Sequence, residues 1–198
     1  MQTTANKVIK YAAERPEGTP LVAKELLHLG GRAAVDQVLS RLAKRGILLR
    51  AARGIYVLPV TNRFGTHAPS ASKMVEGMAN LRGETIVQHG AAAANALGLT
   101  TQVPMKAIYL TSGPNRNLHL GNQTVELRHA PVWQLAFAGR PAGEVVRALA
   151  WLGPMKAGAA LRKLRTRLEP SELEEVVSVR ARVPTWMARE LSALIAHG

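Results

Sequence analysis

Gln37, Ser40, Arg41 and Lys44 are the residues whose types and spacing first suggest chemistry. At about 100° per residue they share one side of a helix with Ala33 and Asp36, opposite a stripe of Val35, Val38, Leu39 and Leu42. An amide, a hydroxyl, two cations and a small residue near the helix start are types that reach base edges and phosphates in a major groove. Gln37 and Arg41 can each make bidentate contacts with a base, and Lys44 suits phosphate. A solvated helix face has the same composition, so the helix alone leaves both readings open.

The surrounding elements favour the first, although winged helices also mediate protein contacts. Ala5, Val8, Ile9, Ala12 and Ala13 form an amphipathic stripe that Thr3 or Thr4 can cap and that Pro16 and Gly18 end. Thr19-Pro20 is expected to open a short helix reaching about His28, with Val22, Leu26 and Leu27 inward. Leu29-Gly30-Gly31 breaks the chain before the third helix, Arg32 to Arg45. Leu48 to Ala51 and Ile55 to Leu58 read as short strands joined at Ala52-Arg53-Gly54, where glycine supplies a positive φ. Three helices and a hairpin predict a winged helix-turn-helix, with the third helix as recognition helix. The predicted DNA-binding set is Arg32, Ala33, Gln37, Ser40, Arg41, Lys44, Arg50, Arg53 and Tyr56. Arg50 and Arg53 put cations on the wing. The Tyr56 ring is expected to pack beneath it, with the hydroxyl in reach of the DNA backbone.

Composition agrees with that partner. The 198 residues hold 26 Lys+Arg against 13 Asp+Glu, a formal charge of +13, which favours a polyanion. No block of five like charges exists, so the charge belongs to a folded surface rather than a tail. Cysteine is absent, which excludes a disulfide scaffold, a thiolate zinc site and a cysteine nucleophile. No apolar run reaches the ~18–20 residues of a membrane span, and the first residues lack the apolar core of an export signal. A cytoplasmic protein with no membrane partner is expected.

Catalysis finds little support. There is no Gly-rich loop followed by Lys-Ser/Thr, no HExxH and no GxSxG. His28, His67, His89, His119, His129 and His197 lack metal-ligand spacing. His89 falls at a strand-to-helix junction, where a capping role outweighs a catalytic one. His119 and His129 can face each other across a hairpin, but without a carboxylate they make no site. The expectation is no enzyme, no catalytic residue, no metal and no cofactor. With aromatic residues at 4%, Trp133, Trp151 and Trp186 read as core or interdomain anchors, and single-stranded RNA is disfavoured.

The predicted fold class is α+β: the winged helix-turn-helix over 1–60, a linker over 61–69, and an α+β domain over 70–198. In the last, Pro69-Ser70 opens a helix lined by Met74, Met78 and Leu81. Strands follow at Thr85 to Val87, Ala107 to Thr111, Asn117 to Leu120 and Thr124 to His129, around an Ala-rich helix from Gly90 to Leu97. They predict a small, mostly antiparallel sheet. The C-terminus is helical, with a capping box at Ser171 and Glu174 and a last helix from Pro184 burying Met187, Leu191, Leu194 and Ile195. Arg162, Lys163, Arg165 and Arg167 surround one of these helices. They form either a second anion-binding surface or a solvated face with snorkelling stems.

The chain resembles the AbiEi-type antitoxins of bacterial type IV toxin–antitoxin systems. One stretch carrying the resemblance is the N-terminal winged helix ending in Arg53-Gly54-Ile55-Tyr56-Val57-Leu58-Pro59. The other starts at QHGAAAANALGL over 88–99 and passes through Val103-Pro104, Ile108-Tyr109-Leu110-Thr111 and Gly113-Pro114-Asn115-Arg116 to Arg128-His129-Ala130-Pro131. The resemblance implies an N-terminal domain that represses its own operon at promoter repeats in double-stranded DNA. It further implies a C-terminal domain that neutralises a cognate nucleotidyltransferase-like toxin, with no need for a stable complex, as in phage defence. The alternative is a winged-helix interaction protein or regulator without a toxin, holding a protein or RNA partner.

Overall fold

The Thr3 hydroxyl accepts the Asn6 N–H at 3.3 Å and opens α1, Thr4–Ala13. The computed structural model describes residues 3–196. The side chain of Ile195 and all of His197 lie outside the described residues. Val8 and Ala12 turn the inner face of α1 onto a 3-10 helix, Ala23–Leu29, and onto α2, Arg32–Lys44. The expected helix start at Thr19-Pro20 is corrected. The Thr19 hydroxyl donates to the Pro16 carbonyl at 2.7 Å in a turn, and Leu21 is instead drawn into pairing with Tyr56. After α2 come β1, Leu49–Ala52, and β2, Ile55–Val57, an antiparallel hairpin with a bulge between Arg50 and Ala52. Helix, short helix, helix, hairpin is the winged-helix order. Its core is Val8, Leu21, Leu26, Val35, Leu39, Leu42, Leu48 and Tyr56.

Residues 61–69, expected to be a linker, carry part of a second hairpin: β3, Val60–Asn62, pairs antiparallel with β4, Gly65–His67. Ser70 then caps α3, Ala71–Arg82, accepting the Lys73 N–H at 3.3 Å, and Gly83 ends it at φ +64°. Met74, Val75 and Met78 are buried.

The chain contacts group into two compact units, Met1–Glu84 with Arg116–Glu126, and Thr85–Asn115 with Leu127–Gly198. The expected linker and α3 thus fall within the first unit. So does the turn of the hairpin formed by β7, Arg116–Leu120, and β8, Gln123–His129, where Gly121 takes φ +61°. Within this unit β7 lies against β1, and Arg116 makes a two-pronged ion pair with Glu84, one prong at 2.9 Å.

In the second unit, β5, Ile86–Gln88, pairs antiparallel with β6, Ala107–Thr111. The mixed four-stranded sheet has the order β5-β6-β8-β7, of which β5, β6 and the end of β8 belong to this unit. Between β5 and β6 lies α4, Gly90–Ala96, whose small residues allow close approach to α6, Pro141–Leu152. A Cβ placed on Gly90 would stand 2.2 Å from the Arg147 carbonyl oxygen. Ala93, Ala94 and Ala148 are fully buried at that contact. The remaining helices are α5, Val132–Leu135, α7, Pro154–Arg165, α8, Pro170–Ser178, a 3-10 turn at Val179–Arg182, and α9, Thr185–Ala196. Val145, Leu149, Leu161, Leu164, Val176, Met187 and Leu191 are among their core residues, with Trp133 and Trp186 packed alongside. The capping box of α8 is Glu169 with Glu172, not Ser171 with Glu174, because Pro170 takes the first helical position and makes Glu169 the cap.

Gly77 in α3 tests the packing of the first unit. Alanine there normally gains ~0.5–1 kcal/mol of helix stability. Here its Cβ would lie 2.5 Å from the Gly18 carbonyl oxygen and 2.7 Å from the Pro20 ring. Overpacking of ~1–3 kcal/mol should win, so Gly77→Ala is expected to lower the urea midpoint. An unchanged or higher midpoint would show that the Gly18 turn yields freely.

Candidate nucleic-acid interface

Val35, Leu39 and Leu42 anchor α2 in the core at 0–3% exposure, which turns the opposite side of the helix outward. Ala33, Gln37, Arg41 and Lys44 are exposed there, and Ser40 is half-buried. Gly31 precedes the helix without a side-chain cap, while Arg41 and Lys44 stand in its last turn, where cations favour the negative end of the helix dipole. Arg32 is engaged: its Nε donates to Asp36 Oδ2 at 2.7 Å one turn along the helix. The pair is exposed and is worth about 0.3–0.5 kcal/mol, so a phosphate can compete for the guanidinium.

The wing meets the helix at its C-terminal end. Arg50 and Tyr56 are opposite partners in β1 and β2. Together with Ser40, Ala43 and Lys44 they line a shallow depression of about 220 Å³. Tyr56 is 7% exposed and belongs to the core cluster, so its ring packs under the wing as expected. Its backbone closes a third strand position: the Leu21 N–H donates to the Tyr56 carbonyl at 2.7 Å, and the Tyr56 N–H to the Leu21 carbonyl at 3.0 Å. Arg53 is exposed at the tip beside Gly54, whose φ of +72° suits the two-residue loop. Ser40, Lys44, Arg50 and Tyr56 are thus brought together, Gln37 and Arg41 continue the helix face, and Arg53 stands apart at the wing tip.

The second basic set divides. Lys163 Nζ donates to the Gly98 carbonyl at 2.5 Å, and Arg167 Nη1 to the Leu97 carbonyl at 3.1 Å. These two side chains cap the carboxyl end of α4, a structural role favoured by the helix dipole. Arg162 and Arg165 are exposed and border a depression shared with Gly158 and Glu190. Sequence reasoning missed Arg63 and Phe64, which β3–β4 displays at its tip. The signal was Val-Thr-Asn-Arg-Phe-Gly-Thr-His over 60–67, in which β-branched residues flank an Asn-to-Gly turn.

His89 is the N-cap of α4, its Nδ1 accepting the Ala91 N–H at 3.2 Å. Burial, and secondarily the Arg128 charge, hold its pKa below the ordinary 6.5. His129 Nδ1 donates to the Gly113 carbonyl at 2.9 Å. Arg147 is buried at 3% exposure; burial lowers its pKa, with Glu144 opposing, and its Nε has no hydrogen-bond partner among the described residues. Among the described residues no group of three or more His, Asp or Glu is placed to hold a metal ion. No described helix is long and apolar enough to cross a membrane.

The fold and these side chains define a winged helix-turn-helix module joined to a second α+β unit with a helical C-terminus. The chain belongs to the family of unknown function DUF6088, whose model matches residues 6–175. No curated protein matches it. The crystal structure of the RV2827C protein from Mycobacterium tuberculosis is similar at 18% identity and a TM-score of 0.46, over 96% of this chain and 71% of that one.

The His89 cap has a pH signature. Above pH ~6.5 the imidazole is neutral in both folded and unfolded chains. As pH falls below that, the unfolded chain takes up the proton first, because the folded pKa is depressed, and stability is lost until the folded His89 also protonates. His89→Asn keeps a capping acceptor and removes the titration. The loss of urea midpoint between about pH 7.5 and 5.5 should be smaller in the variant than in the wild type. Equal losses would remove His89 as a source of acid sensitivity.

Proposed function

We propose that the protein is a duplex-DNA-binding repressor of its own operon and the antitoxin of a type IV toxin–antitoxin pair. The observation that carries the DNA half is the convergence of Ser40, Lys44, Arg50 and Tyr56 at one depression, with Gln37 and Arg41 exposed on the same helix. Gln37 and Arg41 read bases. Lys44, Arg50 and Arg53 hold phosphates on either side, the division of labour of a major-groove helix and its wing. The antitoxin half is supported by the resemblance over residues 48–131 to AbiEi-type antitoxins. In this reading the protein is not an enzyme, needs no cofactor, works in the cytoplasm, and counters a nucleotidyltransferase-like toxin without a lasting complex.

A mobility-shift assay with the promoter of its own operon tests the DNA half. Gln37→Ala with Arg41→Ala should remove sequence preference, each lost bidentate contact costing about 1–3 kcal/mol of discrimination. Lys44→Ala should weaken all duplexes alike. Binding of the double variant equal to the wild type would sink the assignment of α2.

Point substitutions, not truncation, separate the two roles, because the first unit extends to Glu84 and includes 116–126. Removing residues 1–60 would strip its core. Co-expressed with the neighbouring toxin gene, Gln37→Ala/Arg41→Ala should lose repression and keep rescue of growth. Arg162→Glu/Arg165→Glu should impair rescue if that face of α7 is the working surface. Rescue lost with the first pair and kept with the second would reverse the division of roles.

A second reading, in which the protein works by holding a protein partner, draws on one observation. Leu173, Val177, Ala181 and Leu194 line an open groove of about 580 Å³ bordered by Arg165, Arg180 and Glu174. Stable co-purification of the toxin, lost on Val177→Glu, would favour it.

A further inference from the structure

The β3–β4 hairpin has no apolar core of its own. Residues 61–67 are all exposed. Polar contacts build its frame instead. The Thr61 and Thr66 hydroxyls stand 3.1 Å apart. Asn62 Nδ2 donates to His67 Nε2 at 2.9 Å, while Asn62 Oδ1 accepts the Phe64 N–H at 2.8 Å. His67 Nδ1 donates to the Ala68 carbonyl at 2.8 Å, so the ring proton sits on Nδ1. Asn62 pairs with Gly65 across a two-residue loop, Arg63-Phe64, and Gly65 takes φ +112°.

What this frame presents is a cation over an aromatic ring. The Arg63 guanidinium lies 4.6 Å from the Phe64 ring centroid, and Phe64 is 82% exposed. A phenyl ring held in water contributes nothing to the core. The cation–π contact offsets only ~0.5–1 kcal/mol. Along the chain the flanking charge is basic, while the Glu17 carboxylate accepts the Ser70 N–H at 2.9 Å beside the base of the hairpin. Residues 37–75 contain no Asp or Glu and carry Arg41, Lys44, Arg45, Arg50, Arg53, Arg63 and Lys73. This stretch is the outer part of α2, the wing, the second hairpin and the first turn of α3, where Lys73 is paired with Glu76 at 3.2 Å. Val60 follows Val57 by three residues, so the hairpin base adjoins the wing base, and three-residue strands at about 3.3 Å per residue set the tip about 10 Å from that base.

A partner that offers anions beside flat apolar faces fits this tip, and duplex DNA offers both. We propose that β3–β4 is a second DNA-contacting element, with Phe64 wedged at a base step from the minor groove and Arg63 in the groove or on its phosphates. The first wing has a cation at its tip but no aromatic, so the two hairpins divide phosphate holding from base-step opening. The proposal rests on the reading of the N-terminal unit as a duplex-binding module.

The test uses the full chain and duplexes from its own promoter, with 2-aminopurine scanned through the flanking steps. Neither the Arg63 nor the Phe64 side chain takes part in the hydrogen bonds of the frame, so substitutions there spare it. Wild type should bind and brighten 2-aminopurine at one or a few adjacent steps. Phe64→Ala should bind about tenfold more weakly, the low end of one base–aromatic stack, and should lose the brightening. Phe64→Trp should keep both. Arg63→Gln should weaken binding while retaining the brightening. If Phe64→Ala matches wild type in both readouts while Arg41→Ala loses binding, the hairpin proposal falls and the winged-helix reading stands. If wild type binds duplexes without brightening any step, the wedge is overturned. If wild type binds no duplex, the underlying reading fails and takes the proposal with it. A stronger Phe64-dependent affinity for single-stranded RNA of the same sequence would overturn the choice of duplex DNA.

Discussion

Two hydrogen bonds between Leu21 and Tyr56 hold the winged-helix unit in register. They turn a two-stranded hairpin into a three-position sheet, and they fasten that sheet to the segment before the 3-10 helix. A lone hairpin is marginal in water. Once Tyr56 is pinned, its ring is buried among Leu21, Leu26, Leu39 and Leu48, and its cross-strand partner Arg50 is held beside Ser40 and Lys44 of α2. The placement of one cation against α2 therefore depends on a backbone contact to a residue far earlier in the chain. The bulge between Arg50 and Ala52 adds local twist that turns the Arg53 tip relative to the base of the wing.

A different constraint shapes the second unit. The contact of α4 with α6 is close because Gly90, Ala93, Ala94 and Ala148 are small, and because the Gly90 position is filled by the Arg147 backbone. Dispersion between closely packed backbones replaces the large side chains used elsewhere. The arrangement also fixes the carboxyl end of α4 near α7, where Lys163 and Arg167 reach the Leu97 and Gly98 carbonyls. An Ala-rich helix of only seven residues is too short to persist alone in water. Its two ends are secured by His89 and by these cations.

Much of the fold was legible in the sequence where a buried stripe recurs at helical spacing. Val35, Leu39 and Leu42 identify α2 and, by difference, its outward face. That helix is thus legible by its core. Gly54 marked the wing turn for the same kind of reason, a local requirement with a local signature. Other features depend on partners far along the chain. Leu21 reads as helical until Tyr56 is there to pair with it. Beyond the half-buried Val60 the β3–β4 hairpin is exposed, so it lacks the apolar alternation by which strands are recognised, and its polar frame reads as a linker. Lys163 and Arg167 look like surface charge because the carbonyls they cap are about 65–70 residues away. The α8 cap is legible locally: Pro170 points to Glu169, whereas spacing alone does not choose between Glu169 with Glu172 and Ser171 with Glu174.

The engagement of Lys163 and Arg167 changes what the formal +13 means. A duplex responds to a protein by shedding condensed counterions, roughly 0.9 in log–log salt slope for each phosphate neutralised. A cation already lodged on peptide carbonyls sheds none until it lets go, and letting go uncaps a helix. On the proposed duplex, the ionic-strength response therefore counts only the side chains that reach phosphate, fewer than the formal charge suggests. Its bulk charge is closer to a solubility term than to a measure of how tightly it grips a polyanion.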